Sequence, residues 1–150
     1  MSDTAGRTPA RSGQGALGSA TSPAAGATPA VYRAQATELC KVASTKLDRI
    51  SAPTTPSELK PFLIQSNPIF RSLRAALKRL SPPKALRALH ARALELERQQ
   101  IDGIQGLIGA IQAGADPSKA FKATDEKLAK GGEAESATWR KLRLPACANL

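Results

Sequence analysis

Residues that build β-sheets are scarce in this sequence. Among its 150 residues there are only three Phe, one Tyr and one Trp. Because strands favour aromatic and β-branched side chains, this scarcity argues against a sheet. Alanine and leucine, which are among the best helix formers, recur throughout the chain. The composition therefore predicts an all-α fold, and the length suits a single domain with its own core.

Long apolar segments are also missing. No stretch approaches the ~20 consecutive apolar residues that a membrane-spanning helix requires. The first residues show no apolar segment behind a basic start, so the sequence as given contains no signal peptide. These residues alone lead us to expect a cytoplasmic protein, or an extracytoplasmic one if a leader lies upstream of Met1.

The N-terminal segment has too few apolar side chains to build a core. Residues 1–30 consist mostly of Gly, Ser, Thr, Ala and Pro, with Leu17 as their single leucine. Such a segment cannot bury enough apolar surface to offset the entropy of ordering it. We therefore predict a disordered tail over residues 1–30 and a folded domain over residues 31–150.

Apolar periodicity predicts two helices in the first half of the folded domain. The first covers residues 31–50, where apolar residues recur at spacings of three and four. The second begins after Thr55, because Thr55 and Glu58 have the spacing of a capping box. It runs to Leu80, and Pro68 is expected to kink it because proline lacks the N–H that the helix needs.

Two further helices are predicted in the second half. The third covers residues 82–113, and the fourth begins after Asp116, which suits an N-cap position. Gly131–Gly132 is expected to break the fourth helix, and Pro145 to prevent any helix after it. Its inward-facing residues are expected to be Phe121, Leu128, Trp139 and Leu142. Four amphipathic helices with short connections favour a monomeric up-down four-helix bundle.

Positive charge dominates the middle of the chain. The formal net charge is +10, and no acidic residue lies between Lys60 and Arg92. A solvated helix face would account for this excess, and so would an anionic partner such as an envelope polymer or a lipid surface. The residues predicted to form such a face on the second helix are Arg71, Arg74, Lys78 and Arg79. Without stacking aromatics or a recognition helix, they could bind nucleic acid only non-specifically.

Motifs of catalysis and metal binding are not evident. His90 is the only histidine, and we interpret it as a packing residue at a helix interface, although Glu97 lies seven residues on along a similar face. A metal site would need several ligands, so neither a metal nor another cofactor is expected. Lysines interleave the acidic residues of the fourth helix, which indicates an ordinary solvated face formed by Asp125, Glu126, Glu133 and Glu135. We therefore do not expect an enzyme.

Cysteine occurs twice, at Cys40 in the first apolar stripe and at Cys147 close to the C-terminus. Two interpretations are open: a pair of free thiols, or a disulfide formed when the C-terminal segment folds back over the first helix. Neither residue belongs to a CxxC motif, which disfavours a zinc or thioredoxin-like site. A disulfide would require an oxidising compartment.

Five segments over about residues 31–148 form a recognisable order: YRAQATELC, APTTPSELKPFL, LSPPKALRALH, IQAGADPSKAF and WRKLRLPAC. In this order they resemble a group of small uncharacterised actinobacterial exported proteins, many of them lipoproteins. The resemblance implies a helical domain outside the membrane with Cys40 and Cys147 bridged, and it carries no established activity. It also implies a glycine where Arg143 stands.

The leading hypothesis is an extracytoplasmic module that binds or structures a component of the cell envelope. The alternative is a cytosolic basic helical protein that binds nucleic acid non-specifically through its second helix.

Overall fold

The computed structural model describes residues 27–150, so the predicted tail over residues 1–30 lies almost entirely outside the described residues. Within residues 27–150 the chain is all-helical, which confirms the predicted fold class. A single 3-10 turn, Lys84–Leu86, precedes the third helix. Four long helices and one short helix follow each other along the chain: α1 Pro29–Leu47, α2 Pro56–Lys78, α3 Arg87–Gln112, α4 Pro117–Lys141 and α5 Pro145–Ala148.

The second helix begins where the sequence predicts. The Thr55 N–H donates to Glu58 Oε2 at 3.2 Å, which is half of the predicted capping box. Pro56 follows at the first helical position, where no N–H donor is needed. The helix then continues through Pro61 and Pro68 as one element, because its apolar face keeps the same phase on both sides of the prolines.

The predicted break at Gly131–Gly132 is wrong, because α4 is continuous through both glycines. A side chain of α3 explains why glycine is present. Gln100 Nε2 donates to the Leu128 carbonyl at 2.8 Å, and a Cβ on Gly131 would lie only 2.5 Å from that nitrogen. The glycine therefore makes room for a contact between two helices rather than ending one of them.

Phe121, expected to face inward, is 39% exposed. Its neighbour Ala120 packs instead against the small apolar cluster that includes Leu107 and Ile108. Successive helical residues point about 100° apart, so the burial of Ala120 turns Phe121 toward solvent. The other expected core residues of this region behave differently: Trp139 and Leu142 are buried.

A fifth helix begins at Pro145. The prediction that Pro145 prevents any further helix is wrong, because proline is tolerated at the first helical position and Pro145 occupies that position in α5. The turn between α4 and α5 depends on Arg143, whose φ is 60°. The Leu144 N–H donates to the Trp139 carbonyl and the Arg143 N–H to the Arg140 carbonyl, as in a Schellman motif.

Replacing Arg143 with glycine is expected to raise the free energy of unfolding by about 0.5–1 kcal/mol, because glycine adopts positive φ without the clash of a Cβ. Chemical denaturation measures this difference. Gly114 supplies the matched control, since it ends α3 in the same motif at φ 100°. Gly114→Ala should destabilise by about 1 kcal/mol. If Arg143→Gly instead lowered the free energy of unfolding, the contacts of the arginine side chain would stabilise the fold by more than the strain of its positive φ destabilises it.

The helices form a closed circuit of neighbours. Each of α2, α3 and α4 packs against the helix before and after it, while α1 packs against α2 and α5. The short α5 therefore lies between α4 and α1 in this circuit. Arg33 of α1 reaches the end of α4, where its Nε donates to the Leu142 carbonyl at 2.9 Å. None of the helices in residues 27–150 is both long and apolar enough to cross a membrane.

The larger of two core clusters lies at the α5 end of the fold. It is built from all five helices and contains Trp139 and Tyr32, the two largest fully buried side chains. The smaller cluster joins α2 to α3 through Leu63, Leu107, Ile108 and Ile111. Both cysteines belong to the larger cluster, which brings the C-terminal residues into the core.

Candidate functional site

The two cysteines form a disulfide that connects α1 to α5. Cys40 and Cys147 are 107 residues apart in sequence, and their Cα atoms lie 5.1 Å apart. Cys40 is fully buried and Cys147 is 5% exposed. Ser136 adds a second tie to α5, since its hydroxyl donates to the Ala148 carbonyl at 2.9 Å. The cysteine near the C-terminus is therefore part of the core, and it holds the circuit of helices closed.

A polar contact lies inside the same core. Tyr32 Oη and His90 Nδ1 are 2.7 Å apart, and the His90 ring meets Trp139 edge-on with centroids 6.4 Å apart. Burial raises the pKa of Tyr32 to about 12 and lowers the pKa of His90. The tyrosine is thus the donor and a neutral histidine the acceptor. His90 packs between helices, and it does not line the cavity described below.

Tyr32→Phe is expected to lower the free energy of unfolding by about 1–2 kcal/mol, because it leaves His90 Nδ1 buried without a donor. Denaturant unfolding at pH 7 measures the loss. Adding His90→Leu to Tyr32→Phe removes the orphaned acceptor, so the double variant should recover part of the stability. If the free energy of unfolding lost in the double variant equals the sum of the losses in the two single variants, Tyr32 and His90 are not coupled and the hydrogen bond between them does not contribute as described.

The predicted basic face of α2 is divided between two roles. Arg71 donates to the Gln105 side chain of α3 at 2.9 Å, and Arg74 Nε donates to the Leu94 carbonyl of α3 at 3.0 Å. Lys78 and Arg79 are exposed at the end of the helix. The four cations therefore lie along one helix, but two of them already contact α3.

A cavity of about 500 Å³ lies beside the disulfide. Its walls come mainly from α2, α3, α4 and the C-terminal residues, and apolar side chains such as Phe70, Ile104 and Trp139 supply much of its surface. A small set of polar residues also lines it: Glu97, Gln100, Glu133, Glu135, Ser136 and Arg140. Ligand sites are commonly clefts of roughly 300–1,000 Å³ with this mixture of apolar walls and few polar groups.

Glu97 is the unusual residue of the cavity. Glu97 is only 3% exposed, and its Oε2 has no hydrogen-bond partner within the described residues. Burial, followed by the nearby charge of Glu135, raises the pKa of Glu97 to about 8, although Arg74 acts in the opposite direction. The carboxyl group of Glu97 is therefore largely protonated at neutral pH.

Glu135 lies across from Glu97 on α4. Trp139 Nε1 donates to Glu135 Oε1 at 3.3 Å. Burial raises the pKa of Glu135, while the bond from Trp139 opposes that effect. The two helices thus bring a pair of carboxyl groups to the same cavity, and neither group forms an ion pair within the described residues.

The positions of Glu97 and Glu135 in the sequence contain a signal for this pair, although the predictions above do not include it. Glu135 was assigned to a solvated face, yet it lies four residues before Trp139 and so shares its side of the helix. Glu97 lies midway between Ala93 and Ile101, both of which are buried. A charged residue in the phase of an apolar stripe is the pattern that indicates a buried polar site. Glu126, by contrast, is exposed and paired with Lys130.

Metal-binding clusters are absent from the described part of the chain. No group of three or more His, Cys, Asp or Glu side chains in residues 27–150 is placed to hold a metal ion. Comparisons with known protein families, curated proteins and solved structures find no match to this chain. The features of the described residues that bear on function are therefore the cavity, its two carboxyl groups and the disulfide.

Proposed function

We propose that this protein is a non-catalytic, extracytoplasmic binding module of the cell envelope, and that its ligand site is the cavity between α2, α3, α4 and α5. The observation that carries this proposal is the disulfide in the cavity wall. A disulfide that joins α1 to α5 through the core persists in an oxidising compartment and is rare in the cytosol.

The order of the five segments that resemble actinobacterial exported proteins supports the same compartment. In this proposal the helices α1 to α4 are an up-down bundle, and α5 fills the space between the first and the last of them. In this proposal the protein acts as a monomer, and residues of one chain line the ligand site. The exposed cations Lys78 and Arg79 orient it toward an anionic envelope polymer or lipid surface.

The alternative, non-specific binding of nucleic acid in the cytosol, has weaker support. It requires a continuous basic face on α2, and such binding depends on the number of phosphates that the cations neutralise. Arg71 and Arg74 already donate to groups of α3. That leaves Lys78 and Arg79 as the cations of this face without such bonds.

Fractionation of the native host tests the proposal. Cytosolic and envelope fractions are alkylated before and after reduction, and the thiols of this chain are counted by mass spectrometry. We expect the chain in the envelope or outside the cell, with Cys40 and Cys147 both protected until reduction. A cytosolic chain with two alkylated cysteines, retained on DNA at low salt and released by added salt, would establish the alternative instead.

A further inference from the structure

We propose that the cavity binds a small amphipathic amine, whose ammonium group lies between Glu97 and Glu135 and whose apolar body lies against Phe70, Ile104 and Trp139. This inference deepens the proposed function and rests on its assignment of the cavity as a ligand site. It names the chemical class of the ligand.

The unpaired carboxyl oxygen is the main reason for a cationic ligand. Glu97 Oε2 is buried and has no hydrogen-bond partner in the protein, and an unpaired buried acceptor is costly. The second carboxyl group, on the half-buried Glu135, lines the same cavity, and its charge acts on Glu97. Two interacting carboxyl groups favour either protonation or the approach of a cation. An ammonium group supplies both charge and donors for Oε2 of Glu97.

The protein does not supply that cation itself. Arg74 is the nearest α2 cation that acts on Glu97, but its Nε is bound to the Leu94 carbonyl. Arg140 lines the cavity from α4 and is exposed, and neither Glu97 nor Glu135 takes part in an ion pair within the described residues. The site is thus acidic on its inner wall, with room left for a ligand.

The rest of the cavity suits the apolar part of such a molecule. Aromatic and aliphatic side chains from α2, α3 and α4 line the cavity together with the carboxyl groups. Trp139 is bound to Glu135 through its indole nitrogen, so its ring lies next to the proposed position of the ammonium group. Because the edge of the indole that meets Glu135 carries the N–H, the ring offers apolar contact to the ligand and the attraction for its cation comes from the carboxylates. An anionic ligand, in contrast, would meet like charge wherever Glu97 or Glu135 is ionised.

Three eight-carbon probes that differ only in the head group test this assignment: octylammonium, octanol and octanoate. Trp139 is the only tryptophan, so its fluorescence reports binding in the oxidised full chain. Octylammonium remains charged at pH 8, since alkylammonium groups titrate near about 10.4. We expect octylammonium to bind about tenfold or more tightly than octanol, and octanoate to bind most weakly.

Charge variants locate the head group. Glu97→Gln should weaken octylammonium binding about tenfold or more and leave octanol binding unchanged, and Glu135→Gln should act in the same direction. Glu133→Gln is the matched control, because Glu133 lines the same cavity but is exposed. It should change the affinity less than twofold or so, as is usual for exposed charges.

The affinity for octylammonium should also rise between pH 6 and pH 8, and it should rise more steeply in the parent protein than in Glu97→Gln, because Glu97 must lose its proton to pair with the ligand. The charged groups that act on Glu97 are Arg74 on α2 and Glu135 on α4, and Glu133 and Arg140 on α4 also line the cavity. From α1 and α5 the lining residues are the disulfide-bonded Cys40 and Cys147, and after α5 it is Leu150 with an apolar side chain.

Equal binding of octylammonium and octanol, or an effect of Glu97→Gln no larger than that of Glu133→Gln, would overturn the amine assignment. So would the failure of all three probes to bind. None of these results bears on where the chain is located or on its thiols in the host, so the amine assignment and the proposed compartment can fail separately.

Discussion

Removing the Cys40–Cys147 disulfide is expected to lower the free energy of unfolding by about 4–5 kcal/mol. The bond closes a loop of more than 100 residues, since the cysteines are 107 positions apart. Such a cross-link limits the conformations of the unfolded chain, and the effect increases with loop length. Because small domains are stable by only about 5–15 kcal/mol, the reduced protein should be marginal.

Denaturant unfolding of the oxidised and reduced protein measures this difference. The double variant Cys40→Ala/Cys147→Ala separates the cross-link from packing, because the reduced parent keeps both sulfur atoms in the core and the variant does not. We expect the reduced parent to lose most of the stability and the variant to lose slightly more. Unfolding midpoints that coincide in the oxidised and reduced protein would show that the bond does not stabilise the fold.

Replacing Glu97 with glutamine is expected to stabilise the protein by about 2–3 kcal/mol at pH 7. The pKa of Glu97 in the folded protein is about 8, above its ordinary value of 4.5. Its contribution is therefore fully present below pH 4.5 or so and is lost as the pH rises toward 8, since the unfolded chain ionises first. Glutamine keeps the shape of the side chain but cannot ionise, so this loss disappears.

The pH profile distinguishes this cause from a general effect of charge. The stability difference between Glu97→Gln and the parent should grow from pH 5 to pH 8. His90 acts in the opposite direction, because burial lowers its pKa and its contribution is lost as the pH falls through the range where the unfolded histidine titrates. That contribution is common to both proteins and cancels in the difference. Glu133→Gln, which removes an exposed charge, should show no comparable slope; an equal slope would contradict the account.

Helix positions were predictable where local chemistry determines them. Thr55, Glu58 and Pro56 form a start signal that acts within one turn, and the structure begins α2 there. The apolar stripe around Cys40 likewise depends only on helical spacing, and Ala36, Cys40 and Ala43 are buried. Such features require no knowledge of the neighbouring elements.

Features that depend on a neighbouring helix were missed. Gly131 looked like a breaker because its contact with Gln100 comes from α3 and leaves no trace in the local sequence. Pro145 was expected to prevent any helix after it, yet it is the first residue of α5, which is only four residues long. The disulfide to Cys40 connects this short helix to α1. A helix this short is not stable by itself, so its existence follows from tertiary contacts rather than propensity.

The site was predictable only in part. The pairing of Cys40 with Cys147 was one of two open interpretations, and the structure contains the pair as a disulfide. The cavity was not foreseen, because a void depends on how several side chains fail to fill the space between helices. Glu97 and Glu135 occupy positions in the apolar stripes of their helices, which could have indicated carboxyl groups near the core. That the charge of Glu135 on α4 acts on Glu97 on α3 is a property of the assembled fold.

The titration of Glu97 itself tests the cavity as a polar ligand site most directly. Carbon-detected NMR of a protein labelled at the glutamate carboxyl carbons follows each group, and Glu97→Gln assigns the signal. We predict a midpoint near pH 8 in the oxidised protein, well above the ordinary 4.5. A midpoint near 4.5 would mean that water reaches the carboxyl group freely, and it would contradict a buried, unpaired Glu97 at the cavity wall.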